Sequence, residues 1–383
     1  MLPDLYFDAN GSTPLHPRVL ETCQGLLADL YGNPSAAHAE GRRARHAIDA
    51  ARATIARALG ASPDEIWFTS GGTEANNWAL LGCAAASARR HLVVSAIEHK
   101  SVLQTARELE RRGFELELLP ADASGAVRSG DLERLLRPET LLVSVMTTNN
   151  ETGVVQPVRE LADLCRARGV LFHTDAVSTL GKLPVDVRAL GCDLLSLASH
   201  KLYAPKGCGV LYVRKGVAIA PLIHGCGQQN GLRGGTENVL AVVGFARAIE
   251  LLERGELGSP QTLASLRDEL WAALRERFPQ ALRNGSGACL PNTLNVCFPG
   301  ADAAEAQAAL AELGISVAVG AAAGGGAPSH VLSAMGCDAA HARASLRFSL
   351  GRSTTRASLH ALVDALALVL ARPDPERARE THR

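Results

Sequence analysis

The chain has 383 residues, 47% hydrophobic and 20% charged, with a formal net charge of zero at pH 7. That length allows two domains with sizeable cores, and the charge balance gives no reason to expect nucleic acid or another polyanion as a partner. The start at Met1–Asp8 lacks a basic region followed by an apolar run, and no apolar stretch reaches membrane-spanning length, so a soluble, cytoplasmic protein is expected.

Two helix-like stretches come first, at about 17–30 and 41–59. From about 60 to 215, short apolar runs alternate with amphipathic ones. The runs at 66–69, 92–96, 141–146, 170–174, 193–197 and 209–213 read as strands, and 73–88, 101–111 and 158–168 as helices. Alternation of this kind predicts an α/β fold, a mostly parallel sheet with helices on both faces and a site beyond the carboxyl ends of its strands. A long helical run after Thr236 reaches about Glu253, and Gly255-Glu256-Leu257-Gly258-Ser259-Pro260 then punctuates the chain. The remainder reads as a smaller α+β domain, with a charged tail from Arg372 onward.

Nine cysteines, at 23, 83, 165, 192, 208, 226, 289, 297 and 337, show no Cys-x-x-Cys pair. The spacing is not that of a zinc site, and the odd number does not suit a disulfide framework. Most should be small buried apolar residues. Cys226, in His224-Gly225-Cys226-Gly227, is the exception to follow, because its loop could approach a cofactor.

The chemistry-bearing residues stand at the ends of the apolar runs. Thr69-Ser70-Gly71-Gly72-Thr73-Glu74 follows a strand and opens a helix; its amides and the Thr73 hydroxyl could cradle a phosphate, or form an ordinary capped turn. His99, in Glu98-His99-Lys100, could stack on a flat ring. Asn150, in Thr148-Asn149-Asn150-Glu151-Thr152-Gly153, could bind a cofactor oxygen or a substrate carboxylate. Asp175 ends the run 170–174, and Lys201 follows 193–197. Only five lysines occur, at 100, 182, 201, 206 and 215; Lys182 lies in a loop-like stretch and reads as an ordinary surface charge, while Lys201 has company. An amine and a carboxylate so placed are the two groups a pyridoxal phosphate (PLP) enzyme needs, one for the aldehyde and one for the ring nitrogen. Arg347, between apolar residues in Ser345-Leu346-Arg347-Phe348, calls for a carboxylate partner, either a substrate's or a structural one. Each signal is weak by itself, and their order is what makes the case for a PLP site.

The sequence resembles the cysteine desulfurase family within the class V aminotransferases of PLP fold type I, over nearly the whole chain. The resemblance rests on Asp8-Ala9-Asn10-Gly11-Ser12-Thr13-Pro14, Gly32-Asn33-Pro34-Ser35, Phe68-Thr69-Ser70-Gly71-Gly72-Thr73-Glu74, Glu98-His99-Lys100 and Asn149-Asn150-Glu151-Thr152-Gly153. It continues through His173-Thr174-Asp175-Ala176, Ser199-His200-Lys201, Gly234-Gly235-Thr236 and Arg347-Phe348-Ser349-Leu350-Gly351-Arg352. It implies a large domain at 13–257 with a mostly parallel seven-stranded sheet, and a small domain formed by 1–12 and 258–383. It further implies that Lys201 holds PLP, Asp175 faces the ring nitrogen and His99 stacks on the ring and takes part in catalysis. Gly72, Thr73 and His200 would bind the phosphate with Thr236 from the other subunit of a homodimer, and Ser178 would sit near the ring hydroxyl. Asn150, a cofactor contact as well, would join Arg347 and Asn33 in holding the substrate. Such enzymes take sulfur from L-cysteine, leaving alanine and a persulfide on a loop cysteine for a sulfur-acceptor protein.

Three positions depart from that pattern. Ala323, in the glycine-rich run 320–327, stands where the family's nucleophilic cysteine is expected, and an alanine cannot attack sulfur. Ser178 replaces a usual glutamine, and Ala198 a usual serine. Three readings follow. The first is a cysteine desulfurase whose nucleophile has been replaced or lost. The second is a PLP-dependent β-eliminating lyase for cystine, cysteine, selenocysteine or a related amino acid. The third is a non-catalytic partner in sulfur or iron–sulfur assembly, which the intact Lys201, Asp175, His99 and Arg347 argue against. Cys226 remains a candidate substitute nucleophile.

Overall fold

A computed structural model describes residues 5–320 and 328–371. Helices α1 (Pro17–Leu27) and α2 (Ala39–Ala58) are followed by strands and helices that alternate as far as β6: β1 (Ile66–Thr69), α3 (Gly72–Ala85), β2 (His91–Ser95), α4 (Lys100–Arg111), β3 (Glu115–Leu119), α5 (Ser129–Leu135), β4 (Thr140–Ser144), α6 (Val158–Ala167), β5 (Leu171–Asp175), α7 (Val187–Leu190), β6 (Leu194–Ala198) and then β7 (Gly209–Val213). The seven strands form one sheet in the order β1-β7-β6-β5-β4-β2-β3. Strands β2 to β6 pair in parallel, whereas β7 runs antiparallel to both β6 and β1.

Every residue of β2, β4 and β6 is buried, which is why these strands read as unbroken apolar runs rather than alternating ones. One face packs against α2, α6 and α8 (Val239–Glu253) through Ile48, Ile55, Leu161, Phe245 and Ile249. The other packs against α3 and α4 through Trp78, Leu80, Leu103 and Leu109. Strand β3 is the one that a search for apolar runs misses. It is an edge strand, Glu115-Leu116-Glu117-Leu118-Leu119, whose two glutamates both pair with Arg137 and leave a charged rim unsuited to strand addition.

The second layer contains α9 (Pro260–Arg277), β8 (Leu282–Arg283), β9 (Thr293–Cys297), α10 (Ala303–Glu312), β10 (Ala318–Val319), α11 (His330–Ala334), α12 (Ala339–Arg343), β11 (Ser345–Ser349) and α13 (Arg356–Leu370). Its antiparallel sheet, β10-β11-β9-β8, packs on α9 and α13 through Leu270, Leu274, Phe348, Leu362 and Leu366. Phe7 belongs to this same core. The N-terminal segment threads both layers. The Phe7 N–H donates to Ser316 O at 2.8 Å, Ser349 N–H to Phe7 O at 2.8 Å, and Thr13 N–H to His200 O at 3.0 Å. Among the described residues no helix is long and apolar enough to cross a membrane.

Candidate active site

The turns that follow β1, β2, β4, β5 and β6 open onto one cavity of about 360 Å³, closed from the other layer by Arg347 of β11 and His330 of α11. Gly72, Thr73, His99, Asn150, Asp175, Ser178, His200, Lys201 and Arg347 all line it. Most of the predicted site residues, separated by up to 275 positions, therefore meet in one place.

The turn into α3 is tightly packed at Gly72 and where it meets β7. A Cβ on Gly72 would sit 2.7 Å from Val177 Cγ2, and a Cβ on Gly209 would sit 2.5 Å from the Gly71 carbonyl carbon. The first turn of α3 is thereby held close under β7, with Gly72 and Thr73 at the cavity wall. Asp175, the last residue of β5, is buried. Its Oδ1 accepts from Val177 N–H at 2.9 Å and its Oδ2 from Asn76 Nδ2 at 2.7 Å.

Lys201 follows β6 by one tight turn. Its Nζ donates to the carbonyls of Asn10 and Gly11, the latter at 2.6 Å. Burial, aided by the Arg347 charge, pulls its pKa down to about 8 against the opposing pull of Asp8 and Asp175. An amine that releases its proton so readily suits a nucleophile or a base. His200 is driven down to about 4 by burial and by Lys201, so its ring is neutral, and its Nδ1 lies 3.1 Å from Ser12 Oγ. His99 is also lowered, chiefly by burial.

Arg347 is 2% exposed, and of the two partners considered from sequence the structural one is present. It forms an ion pair with Asp8 at 2.7 Å and donates to Asn150 O at 3.1 Å, yet it lines the cavity and its buried Nε has no partner among the described residues. Glu151 lines the same wall and accepts from Ser329 Oγ at 2.5 Å.

Three of the predicted residues are not among those lining the cavity. Asn33 is exposed, and its Oδ1 accepts from Ser35 N–H at 2.9 Å. Thr236 is exposed and lies by Phe68, Gly207 and Arg233. Ala323 falls outside the described residues. Cys226 is exposed and away from the cavity, and no cysteine is among the described residues that line it. Lys182 corrects an expectation: it is buried, not a surface charge, and its Nζ has no partner among the described residues. Sequence reasoning also gave no role to Asn10, Asn76, Ser101, Glu151 or His330. Asn76 alone had a readable signal, one helical turn beyond Thr73.

PLP requires an amine for its aldehyde, an anion for its ring nitrogen and amide donors for its phosphate. Lys201, Asp175 and the first turn of α3 all line the one cavity. The residues fit the group.

Comparison with known proteins agrees. Residues 5–362 match the family Aminotransferase class-V. The chain is 42% identical to a protein named cysteine desulfurase IscS from Dictyoglomus turgidum, over 97% of this chain and 95% of that one. Among solved structures, a NifS-like protein superposes with a TM-score of 0.89 at 38% identity, covering 96% of this chain and 99% of that one. A structure described as SspA in complex with cysteine gives a TM-score of 0.81 at 38% identity, over 91% of this chain and 99% of that one. With this fold and these relatives along nearly its whole length, the chain belongs to the class V aminotransferase family, among the cysteine desulfurases, and is a PLP-dependent enzyme of fold type I.

Proposed function

We propose that the protein cleaves the carbon–sulfur bond of L-cysteine in the manner of a cysteine desulfurase, with Ala323 in the place of the family's loop nucleophile. The observation that carries this reading is the convergence of Lys201, Asp175, His99, Asn150 and Arg347 on one cavity. The cysteine held by the relative SspA supports an amino acid of this kind as substrate.

PLP, when bound, supplies the electron sink that makes bonds at the substrate's Cα and Cβ labile. Lys201 Nζ would hold the cofactor aldehyde and, once the substrate amine displaces it, take the Cα proton. Asp175, fixed by Asn76 and the Val177 amide, would face the ring nitrogen, and His99 would lie against the ring face. Thr73, Gly72 and His200 would hold the phosphate, and Ser178 would stand near the ring hydroxyl. Arg347, whose buried Nε has no partner among the described residues, would take the substrate carboxylate beside Asn150. Thr236, exposed and apart from its own chain's cavity, fits a homodimer in which it completes the other subunit's phosphate pocket. Asn33 would approach substrate only if the exposed turn 33–36 moved inward.

A second reading is favoured by the lack of a cysteine among the described residues lining the cavity. A thiol-free site would release the sulfur directly, and cysteine and water would give pyruvate, ammonia and hydrogen sulfide. Incubation with L-cysteine separates the two readings. Alanine made in the presence of an added thiol acceptor, without pyruvate, supports desulfuration, and pyruvate with sulfide supports elimination. Ala323→Cys should then yield a protein-bound persulfide; neither persulfide nor alanine from that variant would defeat the first reading. Mutating Cys226 to Ser should leave either product unchanged.

A further inference from the structure

The hydrogen bonds behind the cavity decide where His99 keeps its proton. His99 caps α4, and its Nδ1 accepts from the Ser101 backbone N–H at 3.1 Å. A backbone amide can only donate, so Nδ1 must offer a lone pair and the ring proton must sit on Nε2. Ser101 Oγ lies 2.7 Å from the same Nδ1 and 2.8 Å from Asn76 Nδ2. The other hydrogen of that amide points to Asp175 Oδ2, at 2.7 Å. A carboxylate oxygen is an acceptor, so it fixes which way the Asn76 amide faces. Ser101 Oγ then accepts from Asn76, and its own hydrogen is left for His99 Nδ1.

We propose that Asn76 and Ser101 are positioning residues that tie Asp175 to His99 and hold His99 as the neutral tautomer protonated on Nε2, presenting the cavity with a hydrogen-bond donor and not a base. The Nδ1 edge is turned to Ser101, so the edge left to the cavity carries Nε2–H. The charges around the ring come from four elements. Lys201 and His330 disfavour a second proton, Asp175 and Glu151 favour it, and burial outweighs each of them. His99 then steadies negative charge on a cofactor or substrate atom without exchanging a proton, and leaves the proton transfer to Lys201 Nζ. This assignment deepens the proposed function and rests on the cavity being the catalytic site, but the tautomer itself follows from the hydrogen bonds alone.

Nitrogen NMR of isotope-labelled histidine in the holoenzyme tests it, with His99→Gln identifying the signals. The expected result is an unprotonated Nδ1 and a protonated Nε2 at pH 7 that persist below the pH at which an ordinary histidine titrates. Ser101→Ala removes a donor to the lone pair and should raise the His99 titration midpoint by roughly half a unit or more, as should Asn76→Leu. Ser101→Thr, which keeps the hydroxyl, should restore it. A proton on Nδ1, an imidazolium at pH 7, or midpoints unmoved in both variants would overturn the assignment. The readout needs no turnover. A protein inactive on cysteine but with the expected spectrum would sink the proposed function and leave the tautomer standing.

Discussion

Burial pulls the amine of Lys182 down to about 7, and the nearby Lys201 charge acts in the same direction. In the unfolded chain the same group keeps its proton to about pH 10.5. Between these values the unfolded state binds more protons, so this residue makes stability rise with pH, and its burial costs most below pH 7. Lys182→Met should therefore raise the denaturation midpoint at about pH 6, by the equivalent of a few kcal/mol, and the gain should fade toward about pH 10. An equal gain at both pH values would refute a buried, depressed amine. The contrast with Lys201 shows what single residues in a sequence can reveal. Lys201 was legible because it ends an apolar run in series with Asp175, and both reach the cavity. Lys182 was not, because Gly181-Lys182-Leu183-Pro184 carries only turn signals. Its burial comes from packing that those signals do not encode, such as Leu202 against the Gly181 backbone.

At the scale of elements, the junction of β1 with α3 carries the tightest fit. A methyl group on Gly72 would meet the short, stiff Val177 side chain at 2.7 Å, with no flexible end to swing away. Gly72→Ala should weaken PLP binding by about tenfold or more, read from cofactor absorbance on titration. Val177→Ala in the same chain should recover most of the loss; no recovery would mean the contact is not the cause. The buried strands were readable as apolar runs for the same reason that β3 was not. Strands covered on both faces need no polar positions, whereas the edge strand mixes Glu115 and Glu117 with leucines and has no long apolar run. Helix limits were readable to within a few residues. Pro17 opens α1 just after its cap, and α4 begins just after His99, whose ring serves both as cap and as cavity wall.

For the molecule as a whole, the ion pair of Arg347 with Asp8 joins β11 to the N-terminal segment at the cavity's edge. Removing one partner would leave a buried guanidinium short of charge. Asp8→Ala should destabilise the protein by about 2–4 kcal/mol, and saturating L-alanine should return part of that if its carboxylate binds Arg347. A denaturation midpoint equal to that of the parent would mean that the pair contributes nothing. The sequence foretold two layers from the Gly/Pro punctuation near 255–260. The resemblance grouped 1–12 with the later residues, but nothing in the sequence disclosed that Asn10 and Gly11 lie against Lys201, because pairing across 191 and 190 positions leaves no local pattern.

That threading sets an order on biogenesis. Phe7 finds its hydrogen-bonding mates at Ser316 and Ser349, which are made some 300 residues later. The parallel sheet can assemble beforehand, but the cavity beside Lys201 lacks a finished wall until residue 349 has been made. Newly made chains should thus acquire the yellow colour of bound vitamin B6 only once residue 349 has been made, and any stall before it should leave them colourless and prone to chaperone capture.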